Sequence, residues 1–224
     1  MWRPAEVHEF FYLYDPLCGW CYGAAPAVVK LELEPSVMLH PLATGLFAGG
    51  GRSMTPDFAA YAWKNDQRIA QLTGQVFSEA YREKVLGDPA GRFDSTAATR
   101  ALTAVHLTEP AKELEAMHRI QLLRYVDGQD NTDPAVLVSV LRDLGLDEAV
   151  ALLESDDPGV GEAMATRQAM AEKLMQGLGI RGVPALVRLE EGRPVALPNT
   201  ILFEEPATLA ARLGLRPDAE EDIR

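Results

Sequence analysis

Asp15-Pro16-Leu17-Cys18-Gly19-Trp20-Cys21-Tyr22-Gly23 holds both cysteines of the chain, three positions apart, and the residues on either side decide what surrounds them. Upstream, Val7-His8-Glu9-Phe10-Phe11-Tyr12-Leu13-Tyr14 is aromatic and branched and reads as a buried β-strand. Downstream, Ala24 to Leu33 has helical spacing, with Ala24, Ala27, Val28 and Leu31 on one side. Cys18 therefore falls where a strand hands over to a helix. Unpaired backbone N–H groups and the positive end of the dipole stabilise an anion there, so a thiol in that place loses its proton more easily. Cys21, one turn further in, is near enough to close a disulfide with it. The pattern predicts that Cys18, at the exposed end, attacks as thiolate and that Cys21, more covered, resolves the mixed disulfide.

Other uses of two cysteines fit less well. A structural zinc site needs about four ligands, and His8, His40, His106 and His118 are scattered without metal-ligand spacing. A disulfide that closes so short a loop restrains the unfolded chain little. Two inert buried thiols are the default for scattered cysteines, but not for a pair at a strand-to-helix junction.

The 224 residues are enough for one or two domains with a sizeable core. A net charge of -12 speaks against nucleic acid or an anionic membrane as partner. Met1 to Glu6 lacks the pattern of a signal peptide, and no apolar run approaches 18 residues, so a cytoplasmic location is expected. In a reducing compartment a CxxC is more often catalytic than structural.

After the first helix, Ser36 to Leu42 reads as a second strand, which makes a βαβ unit with a parallel pair. The glycine-rich loop Thr44 to Ser53 follows. It lacks the lysine of a phosphate loop, and its place beyond a strand end makes it a candidate rim of the active site. From Thr55 to about Gly177 the signals are helical, with no strand: Ser95-Thr96 caps one helix, Asp133-Pro134 starts another, and the last runs from Val160 to Met175 and stops at Gly177. His106 and His118 lie on separate helices with no carboxylate or serine motif beside them. Strand signals return at Gly179 to Leu189, and the turn Glu190 to Arg193 leads to the strand Pro194 to Leu197. Ala207 to Leu213 closes the chain as a helix, and Arg216 to Arg224 is a polar tail.

The order β-α-β, helical block, α-β-β-α, with Cys18-Gly19-Trp20-Cys21 opening the first helix, resembles the thioredoxin superfamily, and the helical block resembles its DsbA branch. Pro26 stands where the superfamily kinks that helix, and Gly179-Ile180-Arg181-Gly182-Val183-Pro184 resembles its cis-proline segment. The nine-residue run itself is similar to the cytoplasmic FrnE-like subgroup of dithiol-disulfide isomerases and oxidoreductases.

The resemblance implies an α/β thioredoxin-like fold. Residues 1–53 and 177–216 would form the discontinuous thioredoxin-like domain, 54–176 an all-helical insertion, and 217–224 the tail. It also implies that Pro184 is cis and faces the cysteines, and that the backbone of Val183 pairs with an incoming polypeptide. One departure stands out: the buried acid that many members carry six residues before the first cysteine is Tyr12 here, which leaves Asp15 as the nearer acid. Asp15, Tyr22, Gly45 and Phe47 are candidate substrate-rim residues.

The leading functional expectation is a thiol-disulfide oxidoreductase or isomerase acting on protein or small-molecule thiols and disulfides, without metal or bound cofactor, with glutathione as a candidate co-substrate. Its oligomeric state is open. Two other readings share the architecture. Glutathione-dependent kappa-type transferases and 2-hydroxychromene-2-carboxylate isomerases typically carry one serine where Cys18 stands, and a non-enzymatic adaptor would use the fold alone.

Overall fold

The structure is a computed structural model, and it describes residues 7–215. The expected tail lies outside the described residues. Strand β1 (His8–Tyr14) lies inside the sheet. Phe10, Tyr12, Leu13 and Tyr14 are all fully buried, so both faces of β1 are covered, as a continuous aromatic and branched run requires. The four-stranded sheet has the order β2-β1-β5-β6, with β2 (Val37–Ala43) parallel to β1 and β5 (Ala185–Glu190) antiparallel to it. β6 (Arg193–Ala196) pairs with β5 through a two-residue turn, Glu191-Gly192, in which both residues have positive φ, 50° and 77°. That is the turn whose twist matches a hairpin.

Helix α1 (Gly19–Glu32) covers one face of the sheet, and Ala24, Ala27, Val28 and Leu31 form its buried side. Pro26 lies within α1 on its exposed side, and the helix continues through it. Beyond β2 the chain forms α2 (Pro56–Thr73), α3 (Glu79–Tyr81) with a π turn at Arg82–Leu86, α4 (Thr96–Thr108), and α5 (Glu113–Tyr125) after a short 3-10 turn. α6 (Pro134–Asp143), α7 (Asp147–Glu154) and α8 (Pro158–Leu178) complete the helical block, and α9 (Pro206–Leu213) follows the hairpin. Among the described residues no helix is long and apolar enough to cross a membrane.

Three expectations change. The helical block contains a strand: β3 (Arg52–Ser53), from the glycine-rich loop, pairs antiparallel with β4 (Arg92–Phe93) inside the block. Two-residue strands are too short to show an alternating pattern. Helix α8 runs to Leu178 and is capped by Gly179 at φ 67°, with Gly177 inside the helix. Its last turns, with Leu174, Met175 and Leu178, pack on Leu13, Leu42, Ala185 and Val187, the sheet face opposite α1. Ser95 is the residue before α4, but its side chain makes no capping bond there.

One buried carboxylate ties the sheet to the helical block. Glu113 at the start of α5 is fully buried and accepts from Tyr14 Oη at 2.8 Å and from Arg167 of α8, while its other oxygen meets His106 Nδ1 at 2.8 Å. His106 thus has the carboxylate partner that the local sequence did not show. The Nδ1 of His118 is buried without a partner among the described residues, and burial holds its pKa below the ordinary histidine value.

Candidate active site

Cys18 is the residue before α1 and has extended backbone angles (φ -82°, ψ 114°). Its N–H donates to the Asp15 carbonyl at 3.1 Å, and its carbonyl accepts from Tyr22 at 3.1 Å, the first turn of the helix. Both cysteines are free thiols. Cys21 is fully buried, and Cys18, rather than standing exposed, retains only 6% of its surface. The cover comes from the other end of the chain. Cys18 Sγ lies 3.5 Å from the carbonyl oxygen of Val183, and the Val183–Pro184 peptide is cis. Trp20 packs edge-on against Phe203, ring centroids 5.4 Å apart.

Burial pushes the Cys21 thiol well above its ordinary pKa, and the neighbouring Cys18 adds to the shift. Tyr12, where an acid was looked for, is fully buried, and its hydroxyl has no hydrogen-bond partner among the described residues. Burial first, then the charges of Cys21 and Cys18, raise its pKa well above the usual phenol value, so it stays neutral and accepts no proton from a sulfur.

Asp15 is not on a rim: it is fully buried. Its Oδ1 accepts from Leu17 N at 2.9 Å; its Oδ2 accepts from Phe47 N at 3.1 Å and from Ser95 Oγ at 2.8 Å. Burial raises its pKa, and those three donors oppose the rise. The carboxylate fixes the Cys18 turn, the glycine-rich loop and the start of α4 to one another, and this explains why Ser95 does not cap its helix. Tyr22 is also buried; it stacks on Tyr125 at 4.9 Å and donates to the Val76 carbonyl at 3.2 Å. Gly45 has φ 63° and stands against Gln168 of α8, on the wall of a separate cavity of about 670 Å³ between the glycine-rich loop and α8.

Phe47 does line the cavity that contains Cys18 and Trp20, of about 550 Å³. Its other walls come from the helical block, mainly Phe58, Tyr61 and Asp66 of α2, Tyr81, Phe93 and Tyr125. Arg52 lies over the Phe58 ring at 4.2 Å. The Tyr125 hydroxyl donates to the Leu17 carbonyl at 2.8 Å and so holds the turn before Cys18. Asp66 is 6% exposed, and its Oδ2 accepts from the Tyr81 hydroxyl at 2.9 Å. Burial pushes its pKa up to about 7, against the lowering effects of that bond and of the Arg124 charge. A Cβ on Gly19 would come within 2.6 Å of Asp66 Oδ1, so the carboxyl lies directly over the residue after Cys18. The sequence reading missed Asp66. Its signal was a carboxylate on the apolar stripe Phe58, Ala62, Asp66, Ile69, where α2 buries its inner side.

The structure is similar to the cytosolic disulfide reductase DsbM from Pseudomonas aeruginosa, at 31% identity and TM-score 0.82, over 92% of this chain and 97% of that one. A structure of the same reductase with GSH matches at 30% identity and TM-score 0.81, with the same coverage. A 2-hydroxychromene-2-carboxylate isomerase shares the fold at 16% identity and TM-score 0.59, over 92% of this chain and 94% of that one. A search of curated protein sequences finds no significant match. The family model described as the DSBA-like thioredoxin domain matches residues 6–200, from β1 through the hairpin. This chain belongs to the DSBA-like thioredoxin domain family.

Proposed function

We propose that this protein is a thiol-disulfide oxidoreductase working as a disulfide reductase, with Cys18 as nucleophile, Cys21 as resolving thiol, and glutathione or a related small thiol as the regenerating reductant. The observation that carries the reading is the position of Cys18: first in line at a helix N-terminus, one turn from Cys21, against the Val183 carbonyl of the cis-proline turn and open to the 550 Å³ cavity. Likeness to a cytosolic disulfide reductase, also seen with GSH, supports the direction, the cytoplasmic setting and the co-substrate.

In the proposed cycle the Cys18 thiolate attacks one sulfur of a substrate disulfide, and the other sulfur leaves with the electron pair of the broken bond. Cys21 then loses its proton and attacks Cys18. The second substrate thiol departs and a Cys18–Cys21 disulfide remains. Two glutathione thiols re-reduce it and leave as glutathione disulfide. Val183 offers its backbone to an extended substrate chain, and Trp20 and Phe47 form the walls beside the reacting sulfur.

The test is a titration of Trp20 fluorescence in glutathione buffers of known ratio. A two-electron transition near about -270 mV is expected for a reductant, and one above about -200 mV would mean a disulfide donor or isomerase. Absence of a two-electron transition overturns the redox reading and favours an adaptor.

A further inference from the structure

We propose that Asp66 is the proton donor to the departing sulfur when Cys18 attacks a substrate disulfide; the proposal rests on the redox reading above. The leaving sulfur of an alkyl disulfide carries the electron pair as a basic thiolate and departs faster if a proton is supplied. Two other groups near the cysteines do not serve. Tyr12, where an acid was looked for, is a phenol whose pKa burial raises well above its ordinary value, so it is a weaker acid than the alkyl thiol it would protonate. Asp15 has both oxygens taken by three donors on the buried side of the turn. Asp66 differs from both: one oxygen is held by Tyr81, and the other lies over Gly19 on the wall of the cavity that contains Cys18.

Its surroundings suit the role. Tyr81 of α3 and Arg124 and Tyr125 of α5 face it; Arg52 of β3, Tyr61 of α2 and Cys18, the residue before α1, share the cavity wall. With a pKa of about 7 the carboxyl is substantially protonated at neutral pH, yet it is a stronger acid than an alkyl thiol. In the step, the substrate S–S bond breaks, the Cys18–sulfur bond forms, and the leaving sulfur takes the proton from Asp66. Solvent returns a proton to the carboxylate before the next turnover.

The experiment is single-turnover reduction of two neutral disulfides by the reduced protein. Bis(2-hydroxyethyl) disulfide releases a basic alkyl thiolate, whereas 4,4′-dithiodipyridine releases a thiolate that needs no proton. Asp66→Asn is expected to slow the first by about tenfold or more and to leave the second unchanged. Equal slowing of both, or of neither, overturns the proposal, because a structural defect does not distinguish leaving groups. Wild-type protein that reduces neither substrate overturns the redox reading and this proposal with it. Tyr81→Phe keeps the carboxyl but removes a bond that lowers its pKa, so the alkaline fall in the alkyl-disulfide pH profile should move to higher pH. An unmoved profile in Tyr81→Phe also refutes the role.

Discussion

Gly23→Ala tests how closely the helical block is pressed onto the redox helix. Gly19 and Gly23 are one turn apart on α1, and α2 crosses them: a Cβ on Gly23 would sit 2.6 Å from Ile69 Cγ2 and 3.3 Å from Thr73 Cγ2. Ile69 is 1% exposed and β-branched, so it has little freedom to yield. Overpacking of this kind costs about 1–3 kcal/mol, and alanine in a helix interior returns up to about 1 kcal/mol of propensity. The net expectation is a loss of about 1 kcal/mol, a fall in Tm of about 2–4 °C for a chain of this size. Gly177→Ala in α8 is the control, because a Cβ there would meet nothing within 4 Å beyond its own helix among the described residues and only the propensity gain applies. Ile69→Leu moves the branch away from Cβ and should restore Gly23→Ala in a double-mutant cycle. Thermal unfolding of the four variants decides the matter. A Tm for Gly23→Ala at or above wild type, or no coupling to Ile69→Leu, would refute the close-contact argument.

Three further outcomes follow from the geometry. Brief iodoacetamide treatment of the folded reduced protein should label Cys18 and spare Cys21, which is fully buried with its thiol pKa pushed up; peptide mass mapping reads the ratio, and equal labelling contradicts the assignment of roles. Asp66 has a folded pKa of about 7, above its unfolded value, so the stability it contributes is present at low pH and is lost as pH rises through 7. Asp66→Asn should therefore gain on wild type by on the order of 2 kcal/mol between pH 5 and pH 8, measured as the difference in urea midpoints. Glu113→Ala strands the buried Arg167 and Tyr14 groups and should cost about 3–5 kcal/mol, a loss that chemical denaturation would show as a lower midpoint.

The redox half was legible because its signals are local. The strand-turn-helix around Cys18, the Glu191-Gly192 hairpin and the Asp133-Pro134 helix start each depend on residues within a few positions of one another, and the parallel pairing of β2 follows from the β-α-β order. The resemblance placed Val183 and Pro184 near Cys18, though Val183 is 165 positions away. What could not be read were pairings set by tertiary structure. Asp66 looks like an ordinary helix carboxylate until Tyr81 and Gly19 close around it. Ser95 has the chemistry of a helix cap and is drawn instead to Asp15, and Glu113 gathers Tyr14, His106 and Arg167 from three other elements. Where Ser95 turns from its helix to Asp15, a buried carboxyl outweighs the local preference, since a buried carboxyl without donors is far costlier than a missing cap.

The Asp15 carboxylate bears on modularity. It gathers hydrogens from its own turn, from the loop after β2 and from α4, and the last of these lies in the middle of the helical block. Joining residue 53 directly to 177, the obvious route to a minimal redox module, would remove Ser95 from Asp15 and Tyr125 from the Leu17 carbonyl. The excised block would in turn lose the strand partner Arg52–Ser53 for Arg92–Phe93. Neither piece is a ready-made cassette, and a shortened version of this chain needs a new donor for Asp15 before it can hold its cysteines in place.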